Sequence, residues 1–353
     1  MGRGNRGALP LGIGLGILRA NNKHVEEAMK FVARTAAFMA ALLMAGAAMA
    51  AGPGGYPNKP VKVIVPFAPA GPTDVMARLI AQKLSEATGQ QFYVENHAGA
   101  GGNTGMIAAS KSAPDGYTLV FVSSSFVVNP SLYAKKPYDP FKDFTPVTLA
   151  AKSPDILVVH ESFPAKTVKE FIELAKANPG KYSYAVPGIG TTPHLAGELF
   201  KLQLKLDMTT VPFPGAGPAI QSVVGNHTPI AFTALPPTAP NVQGGKLRGL
   251  AITGDKRSSA LPDVPTMKES GIEWKESATI QGVLLPAGTP KEMADYLNAE
   301  IVKAMKLPDV KAKCDQLGFE IVANTPEQFT AYVKEEVDRW AKVIADAKIP
   351  QIP

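Results

Sequence analysis

The residues best suited to chemistry in this sequence offer their peptide groups rather than their side chains. Three turns concentrate small residues just before a helix should begin. They are Phe67-Ala68-Pro69-Ala70-Gly71 ahead of Asp74, Gly188-Ile189-Gly190-Thr191-Thr192 ahead of His194, and Pro214-Gly215-Ala216-Gly217 ahead of Ala219. Small residues let backbone N–H groups approach a ligand closely. A helix N-terminus favours negative charge by about 0.3–1 kcal/mol at an exposed site. Three such turns suit a small carboxylate without a buried Arg or Lys. Ser123, Ser124 and Ser125, after a third apolar run, are placed to meet the far end of such a ligand.

Catalytic and cofactor chemistry find less support. His194 sits at a helix start with no Ser or Cys nucleophile in a recognised motif nearby, so a structural or water-mediated contact is the simpler role. His97, His160 and His227 lack metal-ligand spacing. The glycine-containing loop 99–105 has neither a Gly-Lys-Ser/Thr ending nor G-x-G-x-x-G spacing, and no G-x-S-x-G elbow occurs. The single cysteine, Cys314, permits no internal disulfide and reads as a small buried apolar residue. No enzyme activity, metal or cofactor is expected.

Strands and helices must hold those turns. Residues 61–67 (VKVIVPF) form a short β-branched run, the mark of a buried strand. Thr73 or Asp74 is then expected to cap a helix carrying Met76, Leu79, Ile80 and Leu84 at helical spacing, ending at Gly89. Strands follow at 92–95 and 117–123, with the 99–105 loop opening a short helix between them. The alternation predicts an α/β fold with a parallel, doubly wound sheet. Two strands, 145–151 and 156–160, carry the chain into a second lobe. There the alternation repeats: helix Val168–Ala177, strand Tyr182–Val186, helix 194–202, strand 208–213, helix 218–224, strand 229–233, a Pro-rich stretch, and strand 247–253. The chain returns at 281–285, and helices 291–306, 310–317 and 327–347 finish the first lobe. Two crossings between lobes would make a hinged clamp, with residues 57–155 plus 278–353 in lobe 1 and 156–277 in lobe 2.

Composition agrees. A chain of 353 residues is too long for one compact core, and 45% hydrophobic with 19% charged residues is ordinary for a globular protein. Residues 1–50 read as an N-terminal extension followed, at 29–50, by a secretory signal peptide. Lys30 and Arg34 precede a short apolar stretch, and Ala48-Met49-Ala50 supplies the cleavage site. Met29, rather than Met1, is the expected start. The apolar stretch is too short for a permanent anchor, so an exported, soluble, periplasmic chain is expected. These 50 residues hold +4 of the +6 net charge, leaving +2 for the rest. A nucleic-acid partner is therefore not expected.

The runs VPFAPAGPTDVMARLIAQKLSEATGQQFYVEN, AGAGGNTG, PDGYTL, NPSLYAKKPYDPFKDFTPV, GIGTTPHLAGELF, VPFPGAGPAIQSVVGN and LLPAGTP together resemble the Bug family, the extracytoplasmic binding components of tripartite tricarboxylate transporters. The likeness extends over residues 57–350. It implies a two-lobed type II periplasmic-binding-protein fold (a Venus flytrap) and a bound di- or tricarboxylate or aromatic carboxylate, held by backbone amides and ordered water. It also implies membrane permease partners and a monomeric receptor. By the resemblance, Phe67, Ala68, Ala70 and Gly71 line the proximal carboxylate site. Gly190, Thr191, Thr192 and His194 match the second turn, and Pro214, Gly215, Ala216 and Ala219 supply the opposing lobe's loop. Thr233 stands where many relatives carry Asp, which points to a ligand without an amine. The family's first loop usually reads Pro-Gly-Gly; here Ala70 takes the middle place, and a positive φ there would penalise Ala. The alternative function is a sensor whose closed form signals to a membrane histidine kinase.

Overall fold

The computed structural model describes residues 1–2, 29–30, 52–275, 277–347 and 349–352. Apart from Met29 and Lys30, the expected leader and its cleavage point lie outside the described residues. The chain divides into two compact units, Met1–Ala51 and Gly52–Pro353, and the second contains every element that follows.

Strands β1 (Val61–Val65), β2 (Phe92–Asn96) and β3 (Thr118–Val122) are parallel and are linked by α1 (Pro72–Thr88) and α2 (Asn103–Ser110). Helix α1 ends at Gly89, whose φ of 71° is open to glycine without a Cβ penalty. Its start differs from expectation. Neither Thr73 nor Asp74 is the N-cap; Gly71 is, without a side-chain cap, and Pro72 presets the first turn. Asp74 instead takes hydrogen bonds from Ala70 N (3.0 Å), Arg78 Nε (3.0 Å) and Asn96 Nδ2 (2.9 Å). Burial alone would raise its carboxyl, but these bonds and the Arg78 charge hold it below the ordinary value.

An unexpected helix, α3 (Ser125–Leu132), follows β3. Then comes β4 (Phe144–His160), a continuous strand of 17 residues where two were expected. Pro154 lies within it, although proline cannot donate to a ladder. It falls where the strand changes partners. Residues up to Pro154 pair with β9 (Ala278–Pro286), and those from Asp155 onward pair with β7 (Ile230–Ala234) and, on the other side, β8 (Leu247–Ile252). The second half contributes α4 (Val168–Ala177), β5 (Tyr182–Val186), α5 (Thr192–Leu204), β6 (Met208–Pro212), α6 (Ala216–Val224) and α7 (Leu235–Gln243). The Pro-rich stretch is thus a helix. Pro236 and Pro237 fall in its first turn, where the missing N–H has no intrahelical partner to lose. Helices α8 (Lys291–Met305), α9 (Pro308–Leu317) and α10 (Pro326–Asp346), with the short β10 (Glu320–Ile321), close the chain.

The strand order is β2-β1-β3-β9-β4-β7-β5-β6, with β8 and β10 also on β4. The sheet is therefore mixed. Parallel pairing holds for β1–β3 and β5–β7, while β9 and β4 run antiparallel to their neighbours. Separate cores lie on the two halves. One packs Val63, Met76, Ile80 and Phe121 against Leu297; the other packs Phe171, Tyr184, Phe200 and Phe232. Helix α10 buries Phe329, Val333 and Trp340 in a third cluster that includes both Phe126 of α3 and Leu195 of α5.

Gly282 of β9 lies beneath α10. A Cβ there would overlap the Phe329 ring and sit 3.0 Å from Val122 Cγ2. Gly282→Ala is expected to destabilise the protein by about 1–3 kcal/mol through overpacking, seen as a lower urea midpoint at unchanged slope.

Candidate functional site

The three small-residue turns follow β1, β5 and β6, and the structure brings them together. Ala68 N donates to Pro214 O at 3.1 Å, bonding the first turn to the third. A Cβ on Gly71 would lie 3.8 Å from Ala216 Cβ, one on Gly215 3.1 Å from Ala68 N, and one on Gly217 2.6 Å from Pro69 O. The second turn joins them through Gly188, where a Cβ would lie 3.6 Å from Phe213 O. It also meets the 99–102 loop so closely that a Cβ on Gly101 would overlap the Ile189 carbonyl. Each turn leads into a helix with proline in its first turn: Pro72 in α1, Pro193 in α5 and Pro218 in α6. The N–H groups at such starts have no intrahelical acceptor. Among the described residues, those of Thr192, Ala216 and Gly217 meet none. A cavity of about 490 Å³ adjoins the turns, lined by Phe67, Tyr133, Ile352 and residues 99–102, 187–189 and 212–214. Its walls are apolar side chains and glycine backbone.

The expected side chains divide by what already holds them. Thr191 Oγ1 donates to Gly188 O at 2.7 Å and accepts from His194 N at 3.4 Å, so it caps α5. Thr192 Oγ1 lies 2.8 Å from Thr279 Oγ1. Ser124 Oγ donates to Ala278 O and accepts from Ile280 N, each at 3.0 Å, tying β3 to β9. Ser123, Ala219 and Thr233 are buried, and Thr233 Oγ1 has no partner among the described residues. Phe67, Ala68, Gly71, Gly215 and Ala216 are buried at the turn contacts, whereas Ala70 and Pro214 are exposed. His194 Nδ1 accepts from Gly190 N at 3.3 Å. Burial pushes this imidazole down to about 4, against an upward pull from Glu198 and with a further lowering by Lys201. His194 is therefore neutral near pH 7 and shapes the second turn as an acceptor.

Sequence reasoning missed several residues. Asn129 of α3 donates from Nδ2 to Gly101 O (3.2 Å) and Asn103 Oδ1 (2.7 Å), and it abuts Gly190. It was missed because α3 itself was missed. Asp155 is wholly buried on β4, and its Oδ1 accepts from Thr279 Oγ1 at 2.6 Å. Burial raises its carboxyl to about 7, opposed by bonds from Thr279 and Thr192. An acid flanked by Pro154 and Ile156 in an apolar run was the available signal. Among the described residues, no cluster of three His, Cys, Asp or Glu could hold a metal ion. The arrangement can grip an anion with peptide donors.

Ala70 has a φ of 64°, in the left-handed region. That conformation costs a non-glycine residue roughly 1–2 kcal/mol, so Ala70→Gly is expected to stabilise the protein by about 1 kcal/mol, seen in chemical denaturation. Gly217→Ala should push Pro69 away and loosen the bond between Ala68 and Pro214. Hydrogen exchange at the Ala68 amide should speed up by about fivefold, the loss of one ordinary hydrogen bond, with exchange in β5 unchanged.

The model of the family described as "Tripartite tricarboxylate transporter family receptor" matches residues 76–349. The periplasmic binding protein BugD is 34% identical and superposes with a TM-score of 0.81, covering 84% of this chain and 99% of its own. Rpa4515 of R. palustris, solved with adipate, is 34% identical with a TM-score of 0.81, covering 84% of this chain and 100% of its own. MatC of Rhodopseudomonas palustris, solved with bound malate, is 33% identical with a TM-score of 0.78, covering 82% of this chain and 100% of its own. These likenesses make the fold the two-lobed one of periplasmic binding proteins. With turns, cavity and strand crossing all in place, the chain belongs to the tripartite tricarboxylate transporter receptor family.

Proposed function

We propose that this protein is an extracytoplasmic solute receptor that closes two lobes over a small organic carboxylate and presents it to a tripartite tricarboxylate-type carrier. The observation that carries the reading is the meeting of three helix-leading turns from both halves of the sheet, bonded across by Ala68 N and Pro214 O. Peptide donors at opposed helix starts suit a carboxylate. The relatives solved with adipate and malate lend the ligand class. Phe67, Tyr133 and Ile352 around the cavity favour a carboxylate with an apolar body. The lobes divide between Asp155 and Ile156 on β4 and just ahead of β9 on the return, so residues 57–155 and 278–353 face residues 156–277. The receptor works in the periplasm after removal of its leader, as a monomer that docks on membrane permease subunits. Its mechanism is a population shift: a ligand that binds the closed form better draws the clamp shut.

A thermal-shift panel of adipate, malate, citrate, benzoate and nicotinate, with free amino acids and sugars as controls, tests the ligand class. A true ligand at 100 times its Kd adds about 2.7 kcal/mol of stability, so at least one carboxylate should raise the melting temperature by several degrees. A shift with sugars or amino acids and none with any carboxylate would reject the reading.

A further inference from the structure

A buried chain of oxygen atoms connects the strand crossing to the second turn. Asp155 stands on β4 where pairing passes from β9 to β7. Its Oδ1 accepts from Thr279 Oγ1 at 2.6 Å, and Thr279 Oγ1 lies 2.8 Å from Thr192 Oγ1, on the first residue of α5. Thr192 and Thr279 are 1% and 2% exposed, so the chain is shielded from solvent. Asp155 Oδ2 has no partner among the described residues.

Each hydroxyl has one proton to donate. While Asp155 is ionised it only accepts, so the Thr279 proton is committed to Oδ1. Thr192 must then donate inward, to Thr279 or to Asp155 itself, and only its lone pairs remain for the turn. With a proton on Oδ1 the order reverses. The acid donates to Thr279, Thr279 donates to Thr192, and the Thr192 proton is freed. Oδ1 is the better seat for that proton. On Oδ2 it would be a buried donor without an acceptor, a costlier defect than an under-used acceptor.

We propose that Asp155 is a positioning residue for anion capture: a proton taken from solvent onto its Oδ1 reverses the Asp155–Thr279–Thr192 relay and makes Thr192 a donor at the second turn. The proposal rests on the carboxylate reading above. Loss of the buried negative charge acts in the same direction, since it removes a like charge near the captured anion. By linkage, a carboxylate that prefers the neutral acid draws the proton onto it. Burial places this exchange near neutrality, at about 7.

The other charged groups on the surrounding elements are otherwise engaged. On α5, His194 is neutral down to about 4, and Glu198 is bonded to Tyr184, Thr210 and Lys201. On β4, Lys152 pairs with Glu320, and after β8, Asp255 pairs with Lys268. From β9 the group facing the acid is the Thr279 hydroxyl, and the Thr253 hydroxyl beyond β8 holds the Asp155 backbone.

A group whose pKa is raised holds its proton below that value and loses it above. Affinity should therefore be greatest on the acid side of neutrality, fall as pH rises through it, and level off once Asp155 is ionised. Calorimetry with adipate, and in parallel with malate, between about pH 6 and 8.5 in two buffers of different ionisation heat measures both affinity and proton uptake. The expected result is binding roughly tenfold weaker at the alkaline end, the equivalent of one pKa unit, with net proton uptake on binding near neutrality. In Asp155→Asn the amide donates to Thr279 as the acid would, so binding should stay tight and flat across the range without proton uptake. Wild-type binding that is flat with no proton uptake overturns the proposal. So does an Asp155→Asn variant that binds more weakly at every pH with the slope retained, because that marks a merely structural role. If the variant does not fold, the proton count of the wild-type protein decides alone. Absence of binding by both probes at every pH rejects the carboxylate reading and this proposal with it, and is distinct from pH-independent binding.

Discussion

Peptide groups from the two halves of the molecule lie within hydrogen-bond reach of each other, and side-chain volume is what would prevent it. Ala68 N and Pro214 O are 3.1 Å apart, and the space beside them is closed to any Cβ at Gly217 and nearly closed at Gly215. The 99–102 loop and Ile189 repeat the arrangement on the next flank. Such approach needs small residues at the turns and regular elements behind them to aim the turns. Strands β1, β5 and β6, each in parallel pairing within its own half, supply the aim, and prolines in the first turns of α1, α5 and α6 set where each helix begins.

The halves are joined through β4, whose 17 residues serve both. Its first part is held by β9 and β10 and its last by β7 and β8. The antiparallel pairing at the middle of the sheet follows from this, because β4 leaves one half and β9 returns to it in the opposite direction. The buried polar groups Ser153, Asp155, Thr279 and Gln281 all belong to these two strands. A polar interior at the crossing contrasts with the apolar cores of Val63 and Phe121 on one side and Tyr184 and Phe232 on the other. The proposed Asp155 relay lies at this crossing.

Much of this was legible before any coordinates. Strand Tyr182–Val186 and helix Val168–Ala177 were expected with the bounds observed, because apolar period and flanking turn residues agree there. The three turns were found from glycine and proline placed ahead of helices. What escaped was decided by distant pairing or by proline's double meaning. Lys152-Ser153-Pro154-Asp155 looks like a loop in isolation, and only the change of partner from β9 to β7 makes it strand. Leu235–Gln243 looks like a breaker because three prolines are counted, whereas two of them sit in a first turn that tolerates them. Ser125–Leu132 was hidden by Asn129-Pro130 within eight residues, and with it went Asn129, which braces the glycine loop. The hydroxyls of Thr191 and Ser124 bond backbone, an arrangement that depends on where β9 and α5 lie in space.

In the proposed receptor, the turns at residues 67–71, 188–192 and 214–217 entrust anchoring to the main chain. A point substitution can delete a hydroxyl or an amide side chain, but apart from proline every amino acid keeps its peptide N–H. Drift at these positions therefore alters fit and stiffness before it erases the grip itself. A duplicated gene could revise Phe67, Tyr133 or Ile189 around the cavity and acquire a new diet while inheriting the old handle unchanged. In that proposal, robust attachment and adaptable taste reside in separate parts of one cleft.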